Sequence, residues 1–87
     1  MTSRSREEIR QAIVYALGGI APEIDPASIA ADLPLREQID MDSFDFLNLI
    51  IRVHEILGID IPEQDYAKLV TLNGAVEYLA RRCAAQQ

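Results

Sequence analysis

Residues 42–58 read Asp42-Ser43-Phe44-Asp45-Phe46-Leu47-Asn48-Leu49-Ile50-Ile51-Arg52-Val53-His54-Glu55-Ile56-Leu57-Gly58. An acid, a serine and a second acid stand before an apolar run that ends in glycine. Asp42 is a good N-cap residue, and Asp45 occupies the position of a capping-box acid three residues on. The run predicts a helix over 43–57, closed by Gly58. It is apolar nearly all round, which implies burial on most sides or a face kept for a partner. Ser43 falls in the first turn, among backbone N–H groups that have no intrahelical acceptor. Those groups and the helix dipole favour an anion. A serine there is well placed to carry a phosphate ester made by another enzyme.

Working outward, Ser3 or Ser5 can cap a first helix. Ile9, Ala12, Ile13, Ala16, Leu17 and Ile20 recur at helical spacing, and Gly18-Gly19 is expected to end the helix at about Leu17. Residues 20–41 then form a long connection punctuated by Pro22, Pro26 and Pro34. Ile24, Ile29, Leu33, Leu35 and Ile39 are expected to pin it to the core, with a helical turn near residues 26–30. After Gly58, Ile59-Asp60-Ile61-Pro62 makes an extended corner, and Pro62 starts a short third helix through Leu69. Thr71 can cap a last helix whose apolar face is Leu72, Ala75, Val76, Leu79, Ala80 and Cys83. The expected class is all-α, and residues 1–87 are expected to form a single domain.

The chain is 49% hydrophobic and 25% charged, an ordinary globular composition. Its net charge of −6 is unevenly spread. Residues 20–65 hold eleven acids against two bases, whereas residues 66–87 hold three bases against one acid. The acidity therefore surrounds Ser43. Nucleic acid is not expected as a partner, since phosphate contacts need a basic patch. A basic protein surface suits the charge, and so does the plainer role of keeping a small domain in solution. Arg4, Arg6, Glu7, Glu8 and Arg10 break up any apolar leader before Ile13, and no apolar run is long enough to span a bilayer. Cys83 is the single cysteine, so no disulfide forms within the chain. These readings together give an expectation of a cytoplasmic protein without membrane insertion.

Catalytic groupings are absent from the sequence. One His and one Cys do not make a zinc site, and His54 is expected to be a solvated helix residue. Calcium spacing fails as well. With Asp40 as position 1, an EF-hand would need Gly at Asp45 and Glu at Ile51. No metal is expected. A serine hydrolase needs a base and an oxyanion hole, which Asp-Ser alone does not supply. The chain reads as a substrate of enzymes and not as an enzyme.

Several segments together resemble the acyl carrier protein family. They are Asp42-Ser43-Phe44-Asp45 with Leu47, Leu49 and Ile50, then Leu57-Gly58-Ile59-Asp60-Ile61-Pro62, then Thr71 with Ala75-Val76-Glu77-Tyr78-Leu79. The resemblance covers about residues 5–83. It implies a four-helix bundle of three longer helices and one short one, with a long loop between the first two. It implies 4′-phosphopantetheine on Ser43, taken from coenzyme A by a phosphopantetheinyl transferase. The arm's thiol would hold an acyl group as a thioester for fatty-acid, polyketide or specialised lipid biosynthesis, loaded by a ligase or acyltransferase and used by synthase-type enzymes. An aminoacyl or peptidyl carrier, or an arm-free interaction module of the same fold, are the other readings of the same residues. A monomer suits a carrier that visits several enzymes.

By the same resemblance Asp42 is a transferase contact as well as a cap. Phe44, Asp45, Leu47, Asn48, Ile51, Arg52 and Glu55 are expected to meet partners. Phe44 has the alternative of folding back on the loop, and Leu47 and Ile51 stand between core and docking surface. The chain also departs from the family. Asp40 stands where Gly is common, Phe44 where Leu is usual, and Asn73-Gly74 where Gly and an acid are commoner. Asn48, Arg52 and His54 make the second helix less acidic than in many fatty-acid carriers, which points to a specialised pathway with its own partners.

Overall fold

The computed structural model describes residues 5–85, the side chains of 84 and 85 excepted. Helix α1 (Arg6–Ile20) is capped by Ser5. Ser5 Oγ accepts the Glu8 N–H at 3.1 Å, and a Glu8 carboxylate oxygen accepts the Ser5 N–H at 2.9 Å. Ser3, the other cap candidate, lies outside the described residues. Ile9, Ala12, Ile13, Ala16 and Leu17 are buried, as their spacing requires. The helix does not stop at Gly18-Gly19 but runs on to Ile20, with Ala21 as its C-cap. Two helical glycines cost about 1 kcal/mol each. The extra turn offsets this by burying Ala21 and packing Ile20 on the core.

The long connection holds two short helical pieces. A 3₁₀ turn at Pro26–Ser28 starts on proline, and Asp25 caps it by accepting the Ala27 N–H at 3.0 Å. The second piece, α2 (Leu35–Gln38), is one turn of α-helix that four residues of sequence do not announce. Leu35 and Ile39 are fully buried, while Ile24 and Ile29 pack at the core's margin. Leu33 departs from expectation and is 54% exposed, because it sits in the turn before α2 and Leu35 takes the core position instead.

Helix α3 (Ser43–Leu57) has the predicted bounds. Gly58 follows at φ +69°, the left-handed conformation that ends a helix at little cost only for glycine. The His54 side chain is 45% exposed, in keeping with a solvated helix residue, but its ring is also anchored. Its Nδ1 lies 2.7 Å from the Ile59 carbonyl oxygen and 3.7 Å from an Asp60 carboxylate oxygen. The turn at Gly58 folds Ile59, which is 1% exposed, back into the core and so brings its carbonyl to the imidazole.

The short third helix is present as 3₁₀ geometry at Glu63–Leu69. Helix α4 (Leu72–Ala85) follows, and Thr71 Oγ1 accepts the Gly74 N–H at 2.9 Å. A Cβ at Gly74 would lie 2.8 Å from that oxygen and 3.1 Å from the Lys68 carbonyl, so the tight entry into α4 needs glycine. Among the described residues there is no strand beyond one isolated bridge between Pro34 and Thr71. Helix α1 packs on α3 and α4, and the 3₁₀ segment packs on α4. The result is the all-α bundle of three longer helices and one short one, with every buried side chain in the core apolar.

Candidate functional site

The first turn of α3 is built by its two acids. Asp42, in extended backbone at φ −90°, turns Oδ1 to the Asp45 N–H at 2.8 Å. The Asp45 carboxylate reaches back to the Asp42 N–H at 3.4 Å. Both carboxylates are thus directed at backbone donors. Ile39 and Met41 are buried immediately before the cap and anchor the chain as it enters the helix.

Ser43 is exposed at the head of the helix, and its hydroxyl has no hydrogen-bond partner among the described residues. It is available to an incoming group. An anion joined to its Oγ would lie beside first-turn N–H groups at the positive end of a helix dipole. The acids nearby oppose a negative charge, but their caps hold them to N–H groups that already offset part of it. A phosphodiester on Ser43 therefore fits what surrounds it.

Behind Ser43 the helix is divided lengthwise. Leu49, Ile50, Val53 and Leu57 are buried. Phe44, Leu47 and Ile51 stay 69%, 37% and 44% exposed, and at spacings of three and four they share the opposite face. Phe44 does not fold back on the loop, and Leu47 and Ile51 belong to the surface more than to the core. Glu55 is exposed on this outer side too, while Asp45 and Asn48 are half-buried.

Five of the expected partner residues, Asp45, Asn48, Ile51, Arg52 and Glu55, line one open cleft with Gly19 and Ile20 of about 530 Å³. The Arg52 side chain, itself exposed, lies against Gly19 of α1. A Cβ on Gly19 would come within 2.8 Å of its guanidinium. Helix α1 has no base in its own last turn, and Arg52 supplies a cation close to that carbonyl-bearing end. This use of Arg52 could not be seen in the sequence, because its partner lies thirty-three residues away on another helix.

Beneath α3, the core holds one narrow apolar gap of about 10 Å³, lined by Ile13, Leu35, Leu49, Ile50, Val53, Leu69 and Ala75. A space of that size admits about one water at most.

Where α4 meets the 3₁₀ segment, several polar side chains engage one another, though Arg82 Nε is buried without a hydrogen-bond partner among the described residues. Tyr78 donates its hydroxyl to an Asp65 carboxylate oxygen at 2.6 Å, and Lys68 lies 3.7 Å from that carboxylate. Burial, reinforced by the Asp65 bond, pushes the Tyr78 phenol up to about 12. Arg82 donates to the Asp60 carbonyl at 2.7 Å and stands 6.0 Å from the Tyr78 ring centre. Glu77 binds Arg6 of α1, and the hydrogen bond from that guanidinium holds its carboxyl below the usual range.

Among the described residues no group of three or more His, Cys, Asp or Glu is placed to hold a metal ion. No helix is long and apolar enough to cross a membrane.

A family model described as "Phosphopantetheine attachment site" matches residues 9–79. The chain is similar to an acyl carrier protein of Rubrobacter xylanophilus, 30% identical over 80 residues, which covers 92% of this chain and 98% of that one. An acyl carrier protein of Lactobacillus johnsonii is 39% identical over 56 residues, 64% of this chain and 70% of its own length. One of Campylobacter hominis is 29% identical over 73 residues, covering 84% and 86%.

Proposed function

The chain belongs to the acyl carrier protein family, and we propose that Ser43 is where it carries the family's prosthetic group. That group is 4′-phosphopantetheine, and a family of carriers implies enzymes that load and unload it. When bound, the arm supplies a thiol that holds an acyl group as a thioester. The single observation that carries the assignment is the exposed, unengaged Ser43 hydroxyl in the capped first turn of α3. The chain's own residues then have plain tasks. Asp42 and Asp45 fix the turn, the first N–H groups favour the phosphodiester, and Asp42 is free on its outer side to meet a transferase.

Partner enzymes would meet the outer face of α3, at Phe44, Leu47 and Ile51 with Asp45, Asn48, Arg52 and Glu55 beside them. The acyl cargo would belong to fatty-acid, polyketide or specialised lipid biosynthesis. The gap in the core is too small for an acyl chain as it stands, so shelter for cargo requires the helices to part. That demand suits a small core of marginal stability.

Intact-protein mass spectrometry tests the site. After incubation with coenzyme A, magnesium and a broad-specificity phosphopantetheinyl transferase, wild type should gain one phosphopantetheine and Ser43→Ala none. A gain retained by Ser43→Ala, or no gain by wild type with several transferases, would refute the assignment.

A further inference from the structure

We propose that the loop over residues 30–38 is a preformed part of the surface read by the enzyme that modifies Ser43, and that Gln38 and Asn73 are the positioning residues that hold it. The inference rests on the assignment of the arm to Ser43. The connection over residues 21–41 is long, and apart from its two short helical pieces it has no regular structure of its own. It is tied down twice by side chains.

Gln38 ties the loop to itself. Its Oε1 accepts the Ala30 N–H at 2.7 Å, and its Nε2 donates to the carbonyls of Ala30 at 2.8 Å and Leu33 at 3.0 Å. Asn73 ties it to α4. Its side-chain amide donates to an Asp32 carboxylate oxygen at 2.5 Å, and its backbone N–H donates to the Ala31 carbonyl at 3.0 Å. That backbone N–H is one of the donors at the start of α4 with no acceptor inside its own helix, so the loop satisfies it. Leu35 adds a bond from its N–H to the Val70 carbonyl at 2.8 Å. The Asn73-Gly74 departure thus gains a reason in the structure. Asn73 grips the loop, and Gly74 lets the chain turn closely enough to bring it there.

The end of the loop at Gln38 stands close to Ser43 in the chain. An ordinary interface covers about 800 Å² on each partner, a patch of about 16 Å radius. Gln38 is five residues from Ser43, at most about 18 Å along extended chain and closer for a chain that runs from one helix into another. That bound lies at the rim of such a patch, so an enzyme centred on the serine meets the loop at its Gln38 edge, where the Gln38 side chain bonds Ala30 and Leu33 directly. An unheld loop would have to be ordered as that enzyme binds, with an entropic cost to affinity and none to the chemical step.

The test uses the full apo chain as wild type, Asn73→Ala, Gln38→Ala and the exchanged pair Asp32→Asn with Asn73→Asp. Amide hydrogen exchange and steady-state transfer from coenzyme A are both measured. Loss of one net hydrogen bond should speed exchange in the loop about fivefold in Asn73→Ala and leave α1 and α3 as they were. KM for the carrier should rise by the same factor, about fivefold, with kcat unchanged. Gln38→Ala should exceed both changes. The exchanged pair, which keeps an amide facing a carboxylate, should restore both. An unchanged KM in both single variants, a fall in kcat alone, or failure of the exchanged pair to restore KM would overturn the proposal. Wild type modified at a residue other than Ser43 defeats the earlier assignment before any loop variant is made, and the loop's role with it.

Discussion

The two sides of α3 and its surroundings treat polar groups in opposite ways. At the head of the helix, Ser43 is exposed and unbonded, and Phe44, Leu47 and Ile51 leave apolar surface in water. Toward α4, Asp65, Tyr78, Lys68, Arg82 and Asp60 are joined by contacts that link α4 to the 3₁₀ segment and the corner before it. The difference teaches where stability and function sit. The side-chain contacts that join α4 to the 3₁₀ segment do not involve Ser43, which keeps its hydroxyl for other molecules. Stability measurements and partner-binding measurements should then respond to different residues.

The largest effect expected is in the shared core. Leu79 is fully buried, and Leu79→Ala should cost about 2–5 kcal/mol. In a chain of this size that approaches the whole stability, and urea unfolding followed by circular dichroism reads it. A loss below that range would mean that the core closes over the gap, and would weaken the separation drawn here.

Asp42→Ala comes next, because Asp42 serves both sides of the comparison. Loss of the cap should cost about 1 kcal/mol. Arm transfer to Ser43 should fall further than that loss explains, if Asp42 also meets the transferase. Matching Asp42→Ala against Asp42→Asn, which keeps a capping oxygen, separates the two roles: Asn should restore stability and not transfer.

Tyr78→Phe removes one partly buried bond and should cost about 1 kcal/mol near neutral pH. Its pH dependence is more telling. The folded chain keeps the phenol protonated up to about 12, above the ordinary value of 10.0. This contribution is complete below pH 10 and is lost as the pH climbs towards 12. Thermal unfolding of wild type should therefore decline more steeply over that window than that of Tyr78→Phe, the other tyrosines being common to both. Parallel curves would show that Tyr78 is not held as described.

Phe44→Ala should have the smallest effect on stability, within about 0.5 kcal/mol, because its ring is exposed. Transfer and loading assays with partner enzymes should still detect it. If Phe44→Ala destabilises the fold as Leu79→Ala does, the contrast between the two sides fails.

Much of this was legible in the chain itself. The bounds of α3 followed from Asp42 and Gly58, and the buried face of α1 from its spacing. Misreadings occurred where a distant residue overrode a local signal. Gly18-Gly19 reads as a helix end, but burial of Ala21 carries α1 onward. The bond between His54 and the Ile59 carbonyl, made by the turn at Gly58, was likewise not announced locally, though the side chain is 45% exposed as its polar position suggests. Leu33 reads as a core anchor, but Leu35 takes that place.

By itself the sequence determined the helical class, the capped serine at the head of the apolar helix and the concentration of acids around it. These depend on spacing, capping and composition, which are local and survive without knowledge of contacts. Only the tertiary structure decided that Phe44, Leu47 and Ile51 face outward, that Arg52 covers the end of α1, and that Gln38 and Asn73 hold the long loop. Each of those outcomes depends on which groups meet across the bundle, and periodicity along one helix carries no record of the neighbour on another.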